Sequence, residues 1–471
     1  MKNYHDYPTF NIQHQSIKDF LNNVFFAYTH QPINKRISMP DTHHRKLHHL
    51  RGTPRSAIRS VRRTHWQTVK DQKSVIQKLA APLPRKKALQ ALRRRALAVR
   101  RHTTLLTRAT FDWLSNYLRF ILRSRHPFPV YAGSAEGNGI FPLESQCCIA
   151  LAGDWGSGTT NAYKVGDAMR GWEPDYTIHL GDVYYVGSRE EFDRYFLPEA
   201  AWPRGSRGSF ALNGNHEMYS GGYGYFERAL PQLGLQYKSK PAGQPASYFC
   251  LENEHWRIVS LDTAYYSRTL PFLELFDTYF IRLHRAQLDW LRETVFRDAN
   301  DLRPVLLLSH HNWYSAFESE YRRLGRELQP YLDKVFLWIW AHEHRFSGYG
   351  LSAPAGQGPA VRARCLGHGG MPVELGHHPK RERRLVFSDD RFNADSTREI
   401  SAVYRKDRLG YCGYAVLLLD GPLLQIEYYD EDNTQLMVEV WENDGSAQPK
   451  GSLPVPPERL TKYGEWEELV S

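Results

Sequence analysis

Cysteine is scarce in this chain, and long apolar runs are missing. Its 471 residues include only five cysteines. Cys147, Cys148, Cys250, Cys365 and Cys412 form no CxxC pair, which argues against a disulfide framework or a zinc ribbon and fits a reducing compartment. No stretch reaches the ~20 apolar residues that a bilayer crossing needs. The opening residues, Met1 to Phe10, lack the basic cap, apolar core and cleavage site of a secretory leader, so a cytoplasmic location is the expectation. Also missing are a GxSxG elbow, a GxxxxGK[ST] loop and an HExxH helix, which leaves serine-hydrolase, P-loop and zincin chemistry without footing. No internal repeat is visible.

Acidic residues are scarce at one end. Residues 1–140 hold 26 Lys and Arg against 6 Asp and Glu, although the whole chain is only +10. The remainder is therefore net acidic, and the two parts read as bodies with different jobs. After Pro84, Leu89, Leu92, Ala96 and Val99 fall at helical spacing among Lys86, Lys87, Arg93, Arg94, Arg95 and Arg100. A second helix is expected from Phe111 to Arg125, stopped by His126-Pro127-Phe128-Pro129. Residues 1–140 are thus expected to be a basic, mainly helical region. Such a surface suits an anionic partner, nucleic acid or anionic lipid, and equally a solvated helical cap. The His43, His44, His48, His49 cluster has no carboxylate or rigid element specified around it, and no native metal role is expected there.

From residue 146 the pattern changes to short apolar runs that end in Gly, Asp, Asn or His. Cys147–Ala152 leads to Asp154, Tyr176–Leu180 to Asp182, Phe210–Leu212 to Asn215, Val305–Leu308 to His310, and Lys334–Trp340 to His342. Near-continuous apolar runs mark strands buried on both faces, and open α/β sheets gather ligands at the ends of their strands. Five blocks follow in order: Gly153-Asp154-Trp155-Gly156, Gly181-Asp182-Val183-Tyr184-Tyr185, Gly214-Asn215-His216-Glu217, Ser309-His310 and His342-Glu343-His344. Carboxylate, phenolate, amide oxygen and imidazole are ligands for hard or borderline ions such as Fe, Mn and Zn, with no thiolate required. Two cations about 3.5–4 Å apart would neutralise a phosphoryl group and generate hydroxide near neutral pH.

These blocks resemble the calcineurin-like metallophosphoesterases, and Asp182-Val183-Tyr184-Tyr185 looks most like the purple acid phosphatase branch. The similarity runs over roughly residues 146–372. It implies an α/β fold, a four-layer αββα sandwich of two mixed sheets. It further implies one metal on Asp154, Asp182, Tyr185 and His344 and a second on Asp182, Asn215, His310 and His342, with Asp182 as the bridge. Tyr184 is the natural competitor of Tyr185, but the Tyr184 side chain is expected to point to the opposite face of an extended segment, which leaves Tyr185 as the ligand. The implied reaction is hydrolysis of phosphate monoesters by in-line attack of a metal-bound hydroxide, with His216 assisting the leaving group. An iron-containing pair, Fe with Zn, Mn or Fe, is the implied cofactor. A phosphodiesterase acting on nucleotides, nucleic acid or phospholipid is the alternative, and a non-catalytic binding protein on this fold a further one.

Some positions depart from the family pattern. Ala341 stands where a glycine usually precedes the paired histidines, and the stretch Asn312 to Glu320 has no further histidine pair. His311, Glu217 and His368 are candidates for supporting contacts around the ligands. Gly367-His368-Gly369-Gly370 reads either as a phosphate-approaching loop or as a turn. The catalytic domain is expected over residues 146–445, with 374–409 an insertion or lid, 414–441 a terminal hairpin and 446–471 a C-terminal tail. Oligomeric state has no signal in the sequence.

Overall fold

A computed structural model describes residues 124–131, 137–238, 240–267, 280–353, 359–380, 384–398 and 408–471. The basic helices expected before residue 124 and the histidine cluster at 43–49 lie outside the described residues.

Two mixed sheets of nine strands each form the frame. In spatial order the first holds Ile140–Pro142, Phe249–Glu252, Arg257–Leu261, Val305–Ser309, Val335–Trp340, Val361–Leu366, Phe346–Ser352, Leu385–Ser388 and Thr461–Lys462. The second holds Lys450–Val455, Gln435–Glu442, Leu423–Asp430, Gly413–Asp420, Gln146–Ala152, Tyr176–His179, Gly208–Ala211, Gly234–Tyr237 and Lys240–Pro241. Each sheet has a parallel centre. Gln146–Ala152, Tyr176–His179 and Gly208–Ala211 pair parallel in one, and Arg257–Leu261, Val305–Ser309, Val335–Trp340 and Val361–Leu366 in the other.

The layers follow from the alternation of side chains along each strand. Ile149, Leu151, Ile178 and Phe210 face Phe249, Ile258, Leu306 and Ile339 in a core between the sheets. Their neighbours Ala150, Ala152 and Ala211 face outward and pack with Val165 and Met169 of the Thr160–Arg170 helix, capped by the Thr159 side chain on the Ala162 N–H. On the other outer face, Val259, Leu307, Trp338 and Trp340 pack with Trp290, Leu291, Leu324 and Leu328 from short helical segments. The result is the expected sandwich, helix on sheet on sheet on helix. Among the described residues, no helix is long and apolar enough to cross a membrane.

The late apolar segment forms a three-strand meander, Gly413–Asp420, Leu423–Asp430 and Gln435–Glu442, rather than a lone hairpin. Its first strand pairs with Gln146–Ala152 and so closes the second sheet against the strand that leads to Asp154. Two segments expected at the periphery join the frame. Leu385–Ser388, inside the expected lid, is a fully buried strand paired with Phe346–Ser352. The expected tail supplies Lys450–Val455 and Thr461–Lys462, and Leu469 reaches the inter-sheet core. The apolar run Leu385-Val386-Phe387 sits between Arg-rich and Asp-rich flanks, and burial of its backbone in the sheet outweighs that composition.

Candidate metal centre

All five blocks lie at or just past strand ends, and three of them turn on unusual backbone. Asp154, Asp182 and His342 have φ of 55°, 73° and 67°, a region that non-glycine residues seldom adopt and that clusters at functional sites. Buried acids hold these turns. Glu217 accepts from the N–H groups of Val183 at 2.7 Å, Asp182 at 3.1 Å and Gly214 at 2.8 Å. Glu191 accepts from Tyr185, Val186 and Ser188. The approach is tight: a Cβ on Gly214 would lie 2.1 Å from Asp182 Oδ1. The extra methyl of Ala341 is accommodated the same way, because it fills the space beside Gly153, where a Cβ would meet it at 2.3 Å.

The side chains gather as two sets that share Asp182. In one, the Tyr184 hydroxyl lies 2.6 Å from Asp154 Oδ1, 2.9 Å from His344 Nε2 and 3.3 Å from Asp182 Oδ2. In the other, Asn215 Oδ1 lies 2.9 Å from His310 Nε2 and 3.0 Å from His342 Nδ1, and His310 Nε2 is 3.4 Å from Asp182 Oδ2. Donors held about 2.1 Å from a common ion stand roughly 3.0–3.4 Å apart, so both sets have the spacing of ligands around a cation.

The hydrogen bonds behind the ligands select which atoms face inward. His310 Nδ1 donates to the Leu180 carbonyl at 2.9 Å, which leaves Nε2 to point at two oxygens, Asn215 Oδ1 and Asp182 Oδ2. The Asn215 amide donates to the Tyr219 hydroxyl at 2.9 Å and so turns Oδ1 toward the imidazoles. His342 Nε2 lies 3.1 Å from the Tyr321 hydroxyl. A neutral His310 would face those oxygens with a lone pair, and only a proton or a metal ion resolves the conflict. Burial opposes charge on His310, but the Asp182 carboxylate outweighs it and lifts the ring to about 9. Asp182 is held well below its ordinary range by His310 and His216 despite burial. Burial first, with Asp154 and Asp182 adding to it, pushes the Tyr184 phenol well above its ordinary value. These donors fit a pair of metal ions.

The hydroxyl placed beside Asp154, Asp182 and His344 is that of Tyr184, whereas Tyr185 was the expected ligand. The alternation expected of an extended strand does not apply, because Val183 to Val186 form a turn pinned by Glu191. Tyr185 contributes through its carbonyl, which accepts from His216 Nδ1 at 2.6 Å. That bond leaves His216 Nε2 at the mouth of the site, 3.8 Å from Asp182 Oδ2, on a side chain 17% exposed.

The candidates for supporting contacts divide three ways. Glu217 ties the turns, as described. His311 lies beside the second set, its ring 4.5 Å from that of His342. His368 is buried away from this role: it stacks on Phe346 at 5.3 Å and packs against the Gly413 backbone, and burial lowers it to about 3. Gly367-His368-Gly369-Gly370 is a packing turn, with the Gly369 N–H on the Gly153 carbonyl and a Cβ on Gly367 2.8 Å from Asp154 Oδ2. The roles of Tyr321, Tyr219, Thr263 and the Leu180 carbonyl have no pattern in the sequence; only the fold brings them to the ligands.

Residues 149–346 match the family model described as calcineurin-like phosphoesterase. Similar solved structures include the purple acid phosphatase PPD1 from yellow lupin (Lupinus luteus), at 14% identity and a TM-score of 0.41 over 62% of this chain and 53% of that one. They also include PhoD, at 11% identity and 0.40 over 66% and 72% of the two chains. A dimetal phosphatase from Danio rerio is 12% identical with a TM-score of 0.37, over 63% of this chain and 99% of its own. This chain spans about half the length of the lupin protein. No curated protein sequence matches. Over residues 149–346 the chain is thus similar to the calcineurin-like phosphoesterases.

Proposed function

We propose that this protein hydrolyses phosphate monoesters with two metal ions, one held by Asp154, Asp182, Tyr184 and His344 and the other by Asp182, Asn215, His310 and His342. The observation that carries the reading is the sharing of one oxygen, Asp182 Oδ2, by two sets of donors. Hard oxygen donors and a phenol in the first set favour iron there, with Zn, Mn or Fe in the second. Two ions bound in these sets supply positive charge to the phosphoryl oxygens and acidify a water near neutral pH. The chain's own residues do the rest. Glu217 and Glu191 hold the turns at fixed geometry, and the Tyr185 carbonyl orients His216 so that Nε2 can give a proton to the leaving oxygen. The five free cysteines support a reducing compartment. The excess of Lys and Arg in residues 1–140 supports an anionic partner, whose binding would weaken steeply with salt.

The test compares p-nitrophenyl phosphate with bis-p-nitrophenyl phosphate across added Fe, Mn and Zn, with Asp182→Ala as the blank. Faster turnover of the monoester supports the reading. Preference for the diester would move the substrate to nucleotides, nucleic acid or phospholipid, and hydrolysis of neither by the metal-loaded protein would end the proposal. His216→Ala should retain both metals and lose roughly 10²–10⁴ in rate. Undiminished turnover would remove His216 from the reaction.

A further inference from the structure

We propose that His311 is an additional imidazole donor to the ion held by Asn215, His310 and His342, which makes that position a three-histidine site selective for borderline ions such as Zn²⁺ over Mg²⁺. The inference rests on the two-ion reading given above.

His311 directly follows His310 where the Val305–Ser309 strand ends, and both rings enter the same buried space. Their centroids are 4.9 Å apart at nearly a right angle, and that of His342 is 4.5 Å from His311. The atoms that His310, His311 and His342 can each offer to a metal all lie within 4.8 Å of one another. One side of the His311 ring is fixed. Its main-chain N–H donates to Thr263 Oγ1 at 2.9 Å, and Nδ1 lies 3.2 Å from that same oxygen. The other ring nitrogen, Nε2, is buried and has no hydrogen-bond partner, on a residue 1% exposed. Buried polar atoms are normally satisfied, and a ring that only filled space would leave this nitrogen stranded. A cation shared with His310 and His342 satisfies it. Thr263 then plays the part that an outer hydrogen-bond partner plays for a metal-ligating histidine, fixing the ring from behind.

The consequence is selectivity. Without His311 the second set is two imidazoles and two oxygens; with it, imidazole nitrogens are the majority. Imidazole suits Zn, Cu, Fe and Ni, whereas Mg and Ca prefer all-oxygen surroundings.

The experiment titrates the metal-free, full-length protein with Zn²⁺ by calorimetry, with Mg²⁺ as competitor, and records the visible spectrum of the Co²⁺-loaded form. His311→Phe keeps the ring volume. It should bind one of two Zn²⁺ ions at wild-type strength and the other at least roughly 10–100-fold more weakly, the range seen for the loss of even an outer partner. Its Co²⁺ spectrum should change, and Mg²⁺ should compete better than in the wild type. Thr263→Val, which leaves the ring in place but unanchored, should weaken the same ion by a smaller factor. Melting of the metal-free variants separates these effects from a folding defect. Wild-type affinity for both ions together with an unchanged Co²⁺ spectrum in His311→Phe would overturn the assignment while the two-ion reading stands. A wild-type protein that binds fewer than two ions would overturn both.

Discussion

The Tyr184 hydroxyl sits between two carboxylates and an imidazole, at 2.6 Å from Asp154, 3.3 Å from Asp182 and 2.9 Å from His344. A neutral phenol has one proton for these neighbours, so it can donate to only one of them at a time; a cation serves all at once. Tyr184→Phe should therefore weaken the first ion by 10-fold or more, on the order of the loss expected for a ligand or its partner, and should abolish any visible charge-transfer band in an iron-loaded sample. Tyr185→Phe should leave the band in place, because Tyr185 acts there through its carbonyl on His216. Absorbance together with metal content decides the matter, and a band lost only in Tyr185→Phe would reverse the assignment of the two tyrosines. At this scale the convergence of Asp154, Asp182, Asn215, His310 and His342 on one place was legible, since each closely follows an apolar run, and His344 comes with His342. Which tyrosine hydroxyl lies beside Asp154 and His344 was not legible. Counting two or three positions from Asp182 assumes an extended backbone, and the turn held by Glu191 removes that assumption.

Strand ends carry more than ligands, and Asp262 shows how one carboxylate can organise several elements. It follows the Arg257–Leu261 strand, is fully buried, and accepts from Asn213 Nδ2, Ser247 Oγ and the N–H groups of Ala264 and Tyr265. It thus links the turn before Asn215 to the turn that presents Thr263. Burial raises its carboxyl to about 6, against the hydrogen bonds that favour the charge. An acid whose folded value lies above its unfolded one contributes stability that is present below about pH 4 and lost as pH rises through 6. The difference in stability between wild type and Asp262→Asn should therefore shift by up to about 3 kcal/mol against the wild type between pH 4 and 7. Urea unfolding of the metal-free proteins measures it, and a pH-independent difference would show that Asp262 titrates at its ordinary value. The elements themselves were legible where apolar runs were long enough, as in Val335–Trp340, six residues all buried. Leu385–Ser388 was not, because three apolar residues between charged flanks carry too little periodicity to mark a strand that only its neighbours complete.

At the scale of the whole molecule, the site depends on two sheets staying in register, since Asp154, Asp182 and Asn215 follow strands of one sheet and His310 and His342 follow strands of the other. The sandwich core joins the two sheets, and a buried ion pair crosses it. Arg364 of the Val361–Leu366 strand donates at 2.6 Å to Glu439 of Gln435–Glu442, both side chains fully buried, while Tyr428 also donates to Glu439 and Arg364 to the carbonyls of Tyr349 and Leu469. This pair could not be read from the sequence, because its partners are 75 residues apart in different sheets with no pattern to join them. Two fully buried charges lose their hydration, so their attraction largely offsets that loss and the net stability of the pair is small. Breaking it on one side is another matter. Arg364→Met should cost roughly 3–5 kcal/mol, because it strands the Glu439 charge in the core. Arg364→Met combined with Glu439→Met should recover most of that loss, with apolar packing in place of the pair. Chemical denaturation of the two variants separates the cases. A double variant as unstable as the single one would mean that the hydrogen bonds to Tyr349, Leu469 and Tyr428, and not the charge balance, hold the two sheets together at this point.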